Sequence, residues 1–291
     1  MSVAAAGLTL GFDINRVTTP QSDVTLQVGR TPLMKSIERG QLATATALAS
    51  HPSTNLETRT ISGDTAIMFF VTEAGLDLSM VRMLLARGAD PLVVNTQGYN
   101  AVLCRCLRSS ISPSDMEAIG LLLDHGVDIG SRIESRRQAS CDRGRSAAAL
   151  ILRSHCAVPE ALRVLQKHVF GSPRQRALIE SADAWGGGLL HYAAEGGFAA
   201  PVRALLAHGA RVNAERECEM MVKGVQVNED GTVGGVGAEM ETPLDVARAR
   251  RRLLGGFYRS PTETTMRMDE IDMVIEELIK AGGRGRQGCA M

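Results

Sequence analysis

"GGLLHYAAEGGFAAPVRALLAHGARVNA", from Gly187 to Ala214, holds two short helix-like runs, each closed by glycine. A glycine just past a helix takes positive φ without a Cβ clash, so it can end the helix sharply. In the second run Val202, Leu205 and Leu206 fall at i, i+3 and i+4, the spacing of one apolar helix face. Such a pair cannot bury that face alone. It needs a neighbour of the same kind.

The neighbours are present. "LLARGADP" (Leu84 to Pro91) and "LLDHGVDI" (Leu122 to Ile129) repeat "LLAHGARV" (Leu205 to Val212), and "ELIKAGG" near the end is a weaker copy. The same apolar spacing recurs at Val81, Leu84 and Leu85, and at Ile119, Leu122 and Leu123. It is clearest at Ile271, Val274, Ile275, Leu278 and Ile279. Further helix-like runs begin at "GRTPL" (Gly29), "GDTAI" (Gly63), "GYNAV" (Gly98), "GRSAA" (Gly144), "GGGLL" (Gly186) and "ETPLD" (Glu241). With Thr31, Thr65, Asn100, Ser146, Gly188 and Thr242 taken as equivalent, the spacings are 34, 35, 46, 42 and 54 residues. Helix, tight turn and helix at this period predict a solenoid.

The 187–214 stretch and its flanks carry a fuller pattern: Asp183, Gly186, Leu190, His191, Ala193, Ala194, Gly197, Val202, Leu205, Leu206, Gly209, Ala210 and Asn213. "TPL" recurs at Thr31 to Leu33 and Thr242 to Leu244. On these residues the chain resembles the ankyrin repeat family over roughly residues 28–283. The resemblance implies an all-α helical solenoid of about six divergent repeats, with short finger hairpins and one elongated hairpin insertion. It also implies that His191 hydrogen-bonds within and between neighbouring repeats. With an initial Met and no second domain in view, the chain resembles an ankyrin-only protein.

The departures are local. Gly188 and Leu189 replace the Thr-Pro of the family pattern. Phe70 and Arg105 stand where the family uses small alanines, and His168 stands at the glycine place of the fourth repeat. Three insertions are expected. Residues 131–145, "SRIESRRQASCDRGR", read as a solvated loop with five arginines, and Ser140 resembles a basic-directed phosphosite. Residues 215–240 alternate Val225 and Val227 with polar residues around an Asp230-Gly231 turn, a hairpin signal. "NEDG" fails as a calcium loop, because the first and twelfth ligand places are Gln226 and Gly237. Residues 255–265 separate the last two helices, and Phe257 and Tyr258 are expected to cover the end of the stack. Residues 1–27 form an N-terminal arm and 284–291 a flexible tail.

Composition narrows the function. The 291 residues carry 32 basic and 32 acidic side chains, which argues against general nucleic-acid binding. No apolar run approaches the roughly 20 residues of a membrane span. The start lacks the basic region of a secretory signal, and six scattered cysteines suit a reducing compartment. The expected location is the cytoplasm, with the nucleus as a second compartment.

No chemical motif stands out. Cys104 and Cys106 lie at i, i+2 on a predicted helix and point apart. His155-Cys156 has no second ligand pair, and no C-x-x-C occurs, so no metal or other cofactor is expected. "GGG" at Gly186 to Gly188 lacks the ending of a phosphate loop. The Arg250 to Arg252 run reads as a solvated helix end.

The resemblance therefore implies a non-enzymatic protein-protein interaction module, an adaptor, scaffold or inhibitor, whose partner is another protein. The alternative is a cysteine-dependent enzyme or metal-dependent regulator built on a helical repeat. The family's contact places fall on Arg30, Glu38, Arg39, Asp64, Thr72, Glu73, Thr96, Gln97, Tyr99, Arg108, Ala184, Trp185 and Glu195. Trp185 is the only tryptophan of the chain and is expected at an exposed finger tip.

Overall fold

A computed structural model describes residues 13–17, 29–72, 78–108, 111–134, 143–154, 158–217, 240–256 and 261–285. It divides into two compact units, Met1–Ser135 and Arg136–Met291. In the first unit the helices are α1 (Pro32–Glu38), α2 (Leu42–Ser50), α3 (Ala66–Thr72), α4 (Leu78–Ala86), α5 (Ala101–Cys106) and α6 (Pro113–Asp124). The second holds α7 (Ala147–Arg153), α8 (Val158–Leu165), a π-helical turn (Gln166–Phe170), α9 (Gln175–Ile179), α10 (Leu189–Gly196) and α11 (Ala199–Ala207). It continues with β1 (Arg216–Glu217), β2 (Met240–Glu241), α12 (Pro243–Gly256) and α13 (Pro261–Lys280).

Each unit stacks helix pairs in register. In the first, α1 packs on α3 and α3 on α5, while α2 packs on α4 and α4 on α6. In the second, α7 packs on α10 and α10 on α12, while α8 packs on α11 and α11 on α13. One helix of each pair thus joins an inner row and the other an outer row. The fold is an all-α repeat architecture. Among the described residues the only regular sheet is the antiparallel pair Arg216–Glu241 and Glu217–Met240, at the base of the 215–240 insertion. The centre of that insertion lies outside the described residues.

The six positions equated in the sequence all stand at the N-cap place of an inner helix. Thr31 Oγ1 accepts from Met34 N–H at 3.3 Å, Asn100 Oδ1 from Leu103 N–H at 2.9 Å, and Ser146 Oγ from Ala149 N–H at 3.2 Å. Thr242 forms a reciprocal box with Asp245, whose carboxylate accepts from Thr242 N–H at 3.1 Å. Each cap satisfies a backbone donor that the helix itself leaves open. The buried Thr65 Oγ1 has no hydrogen-bond partner among the described residues, and Gly188 has no side chain to do this. His191 reaches back instead, its Nδ1 accepting from Gly188 N–H at 3.2 Å.

The predicted outer-helix faces are buried as a stripe. Val81, Leu84, Ile119, Leu122, Val202, Leu205, Val274 and Leu278 are wholly enclosed. The last helix departs from its predicted stripe, because Ile279 is half exposed. α13 is the outer helix of the last described pair, and no described helix stacks beyond its far edge.

Backbone geometry explains the finger glycines. Gly144 has φ +78°, and a Cβ there would lie 2.6 Å from Ala184 N of the next finger, whose N–H donates to Arg143 O at 3.3 Å. Gly63 makes the same close approach to Thr96, whose N–H donates to Ser62 O at 2.9 Å. By contrast Gly88, which ends α4 at φ +85°, has open space around its Cα. Gly88→Ala should therefore cost only the left-handed strain, about 1–2 kcal/mol. Gly144→Ala should cost about 2–3 kcal/mol, because the next finger must also move. Equal losses in urea titrations would show that finger-to-finger approach carries no stability.

Several expectations for the irregular segments change. α12 reaches Gly256 and α13 begins at Pro261, so most of the 255–265 insertion is helix; Phe257 and Tyr258 lie outside the described residues. Arg145, placed by the sequence at the end of a solvated loop, is the largest fully buried side chain among the described residues, and Ile133 of the same stretch is buried. Within the N-terminal arm, Ile14 is buried and Asn15 bridges the turn at 53–55. Its Nδ2 donates to Ser53 O at 2.8 Å, and its Oδ1 accepts from Asn55 N–H at 2.7 Å. At the other end Arg284 N–H donates to Asn213 Oδ1 at 2.7 Å, so the anchored chain extends past 283.

In the fourth repeat His168 replaces the helix-ending glycine. No described non-glycine residue takes positive φ. The helix accordingly runs on into the π-helical turn, where Phe170 stacks on His208 with centroids 4.2 Å apart. Arg105 fits at a small-residue place by turning its guanidinium into an ion pair with Asp115 of α6. Burial works to raise the Asp115 carboxyl, but Arg105 and the Ser112 cap outweigh it and hold it below its ordinary range. Phe70 has a described backbone but no described side chain.

Candidate partner-binding surface

The residue just before each inner-helix cap has a recurring position. In the first unit these residues are Arg30, Asp64 and Tyr99; in the second they are Arg145, Gly187 and Glu241. For Arg30, Asp64 and Arg145 the fourth residue of the next inner helix lies opposite. Arg30 holds its guanidinium carbon 5.1 Å from the Phe69 ring centroid and pairs with Glu38. Arg145 holds its guanidinium carbon 5.0 Å from the Tyr192 centroid, and its Nε donates to the Tyr192 hydroxyl at 2.9 Å. Asp64 has the same relation to Cys104, and their two short side chains leave a recess.

That recess measures about 280 Å³. Asp64 and Asn95 form one wall, with Asn95 Nδ2 donating to Asp64 Oδ1 at 2.9 Å. The buried side chains of Met68, Phe69 and Tyr99 form its inner part, and exposed Gln97 and Leu107 stand at its mouth. Asn95 also shapes the finger, its Oδ1 accepting from Gln97 and Tyr99 N–H at 3.0 Å each. Cys104 closes the recess. Burial, reinforced by the Asp64 charge, pushes its thiol up to about 12, so it is protonated and unreactive at neutral pH. Cys106 is buried, and the other four cysteines lie outside the described residues.

The structure sorts the expected contact residues. Arg39, Thr96, Gln97, Arg108 and Ala184 are exposed. Arg30, Glu38 and Asp64 are half-buried and engaged as above. Tyr99 differs from the expectation of an open contact: it is buried as a wall of the recess, and its N–H donates to Asn95 Oδ1. The Thr72 side chain, Glu73 and Ser140 lie outside the described residues.

Trp185 is also less open than its finger-tip place suggests. It is half-buried, its backbone N–H donates to Asp183 Oδ1 at 2.8 Å, and its indole Nε1 is enclosed without a hydrogen-bond partner among the described residues. The glycines that follow do not leave it unshielded.

Glu195 is tied into an ion network. One carboxylate oxygen accepts from Arg153 Nε at 2.9 Å and the other from Arg216 Nη1 at 3.2 Å, while Arg216 Nε donates to Glu241 at 2.8 Å. Burial works to raise the Glu195 carboxyl, but Arg216 and Arg153 outweigh it and hold it low. Burial likewise works against the Arg216 charge, yet Glu195 and Glu241 raise its affinity for the proton. The network joins α7 and α10 to the base of the long insertion. Arg153, Arg216 and Glu241 were not among the expected site residues. Glu241 had a signal in its pre-cap register, whereas nothing local marks the other two.

Nearby, His191 is fully buried and bridges repeats. Its Nε2 donates to Glu241 O at 3.2 Å while its Nδ1 accepts from Gly188. Burial, aided by the Arg216 charge, brings its pKa down to about 4.

Among the described residues no group of three or more His, Cys, Asp or Glu side chains is placed to hold a metal. No described helix is long and apolar enough to cross a membrane.

Comparison with known proteins bears on this geometry. The family model described as Ankyrin repeat matches residues 62–96, the segment that includes Asp64, Phe69 and Asn95. No curated protein matches the chain. Among solved structures, the chain is similar to one from the Bdellovibrio bacteriovorus complex of the predatory endopeptidase Bd0816 with the immunity protein Bd3460. That likeness has a TM-score of 0.56 and 17% identity, and covers 87% of this chain and 98% of that one. It is also similar to the ankyrin repeat domain of Bcl-3, a member of the IkappaB protein family, with a TM-score of 0.51, 20% identity and 88% of each chain covered. At these identities the likeness carries the fold.

Proposed function

Since the chain is an ankyrin-repeat protein, we propose that it is a non-enzymatic module that binds another protein through its fingers and inner helices. The observation that carries this reading is the finger ladder. Thr96 N–H bonded to Ser62 O, and Ala184 N–H to Arg143 O, hold successive tips at fixed spacing within each unit. Side chains on such tips are preorganised, so binding costs them little conformational entropy. Arg39, Thr96, Gln97, Arg108 and Ala184 are the exposed members of the proposed contact set, with Trp185 as its anchor.

Adaptor, scaffold and inhibitor roles all use such a surface. The inhibitor role is supported by the Bdellovibrio complex, whose components are an endopeptidase and an immunity protein. Burial raises the Cys104 thiol, which weighs against that residue as the nucleophile of the cysteine-enzyme alternative. The balanced charge supports a protein partner over nucleic acid. We place the protein in the cytoplasm, a reading that rests on composition, with the nucleus as a second compartment.

The test is affinity capture with the full chain, followed by identification and titration of what binds. Trp185→Ala should weaken binding about 30-fold, equivalent to about 2 kcal/mol for an aromatic anchor. Binding unchanged by Trp185→Ala and by Gln97→Ala would remove both from the contact set. A titration in which nothing is captured at micromolar concentration would count against the module itself.

A further inference from the structure

The pre-cap register reveals one place where the stack is incomplete. At two places a pre-cap arginine lies over the aromatic ring of the next inner helix: Arg30 over Phe69, and Arg145 over Tyr192. At the place after Arg30, within the first unit, the pre-cap residue is Asp64 and the residue opposite is Cys104. A short carboxylate has replaced the long cation, and a thiol has replaced the ring. The result is an acceptor-lined recess where Arg30 and Arg145 fill the equivalent places.

Its chemistry selects an occupant. At about 280 Å³ it is at the lower end of ligand pockets, a size suited to one side chain. Asp64 Oδ1 holds Asn95 Nδ2, and Oδ2 accepts from none of the described residues. Tyr99 supplies aromatic surface beside that charge, and Phe69, whose ring already carries the Arg30 guanidinium, completes the lining. A carboxylate next to aromatic rings favours a cation with an apolar stem, through a charge-assisted hydrogen bond and ring-face attraction.

We propose that this recess receives one lysine or arginine side chain from an extended basic segment of the protein partner. The partner's cation would supply what Arg30 and Arg145 supply within the chain. This rests on the interaction-module reading and adds to it the chemistry of one anchor point.

The test uses n-butylguanidinium and n-butylammonium as side-chain probes, titrated at constant ionic strength into the isotopically labelled full chain. Saturable amide shifts are expected at Asp64, Gln97 and Cys104, with n-butanol giving none. Asp64→Asn keeps the acceptor for Asn95 but removes the charge, and should weaken probe binding at least tenfold. Cys104→Phe restores the ring found at the equivalent places and should abolish binding by filling the recess. Thermal melts establish that each variant is folded, and either one suffices for the comparison. Equal response to n-butanol, or probe binding unchanged in the folded variant, would overturn the proposal. If the wild type captures a protein and both variants hold it equally well, the interaction module stands and the basic anchor fails.

Discussion

Replacing Arg145 with alanine is expected to destabilise the second unit by about 3–5 kcal/mol, the range for breaking a buried ion pair from one side. The Arg145 side chain is fully buried, and that of Asp183 is 2% exposed. Arg145 Nε lies 3.8 Å from Asp183 Oδ2 and donates to the Tyr192 hydroxyl, which in turn donates to that same oxygen. Asp183 Oδ1 meanwhile accepts from the N–H groups of Trp185 and Gly187 at 2.8 and 2.7 Å, fixing the finger. Removing the guanidinium would leave the carboxylate enclosed with hydrogen-bond donors but no opposing charge. It would also uncover one face of Tyr192, whose phenol burial already pushes up. Arg176 is the control. It pairs with Glu180 at 3.2 Å but is 90% exposed, so Arg176→Ala should stay within about 0.5 kcal/mol of wild type. Urea titrations of the two variants make the comparison, and similar losses would show that the Arg145 network is no stronger than a surface pair.

Acidification should also weaken the fold through His191. In the unfolded chain this imidazole titrates near 6.5; in the fold, burial and Arg216 bring it to about 4. Between those values the unfolded state binds the additional proton, so stability rises with pH across the window. The His191 contribution is complete above pH 6.5, declines as pH falls toward 4, and totals about 3 kcal/mol. Protonation would put a second donor on Nδ1, where Gly188 N–H already points. His191→Gln should flatten the stability-versus-pH curve between pH 4 and 6.5, whatever its effect at neutral pH. An unchanged slope in that variant would assign the acid sensitivity to another group.

Much of the architecture is local and therefore readable from sequence. A helix cap depends on residues three apart, and a helix-ending glycine on its own φ. That is why equating Thr31, Thr65, Asn100, Ser146, Gly188 and Thr242 locates every inner-helix start, even across spacings from 34 to 54 residues. The apolar spacing likewise identifies the face of each outer helix. Its clearest failure, Ile279, lies on the last described helix, where periodicity persists but no described element covers it; Leu206 and Ile275 are half-buried.

The contact residues divide differently. Arg39, Thr96 and Gln97 are exposed because finger tips and turns project from any such stack. For Tyr99, Trp185 and Glu195, exposure depends on what the adjoining repeats bring. Asn95 Oδ1 accepts from the N–H of buried Tyr99, and Arg153 and Arg216 occupy both oxygens of Glu195. Arg145 shows the difference most clearly. Among five arginines in a polar stretch it looks solvated, yet it meets a tyrosine 47 residues away and is fully buried. By itself the sequence determined the repeat, its caps, its outer-helix faces and the fingers. Only the tertiary structure decided which charges are enclosed and where a recess remains, because stacking sets the identity of the side chains opposite Arg30, Asp64 and Arg145.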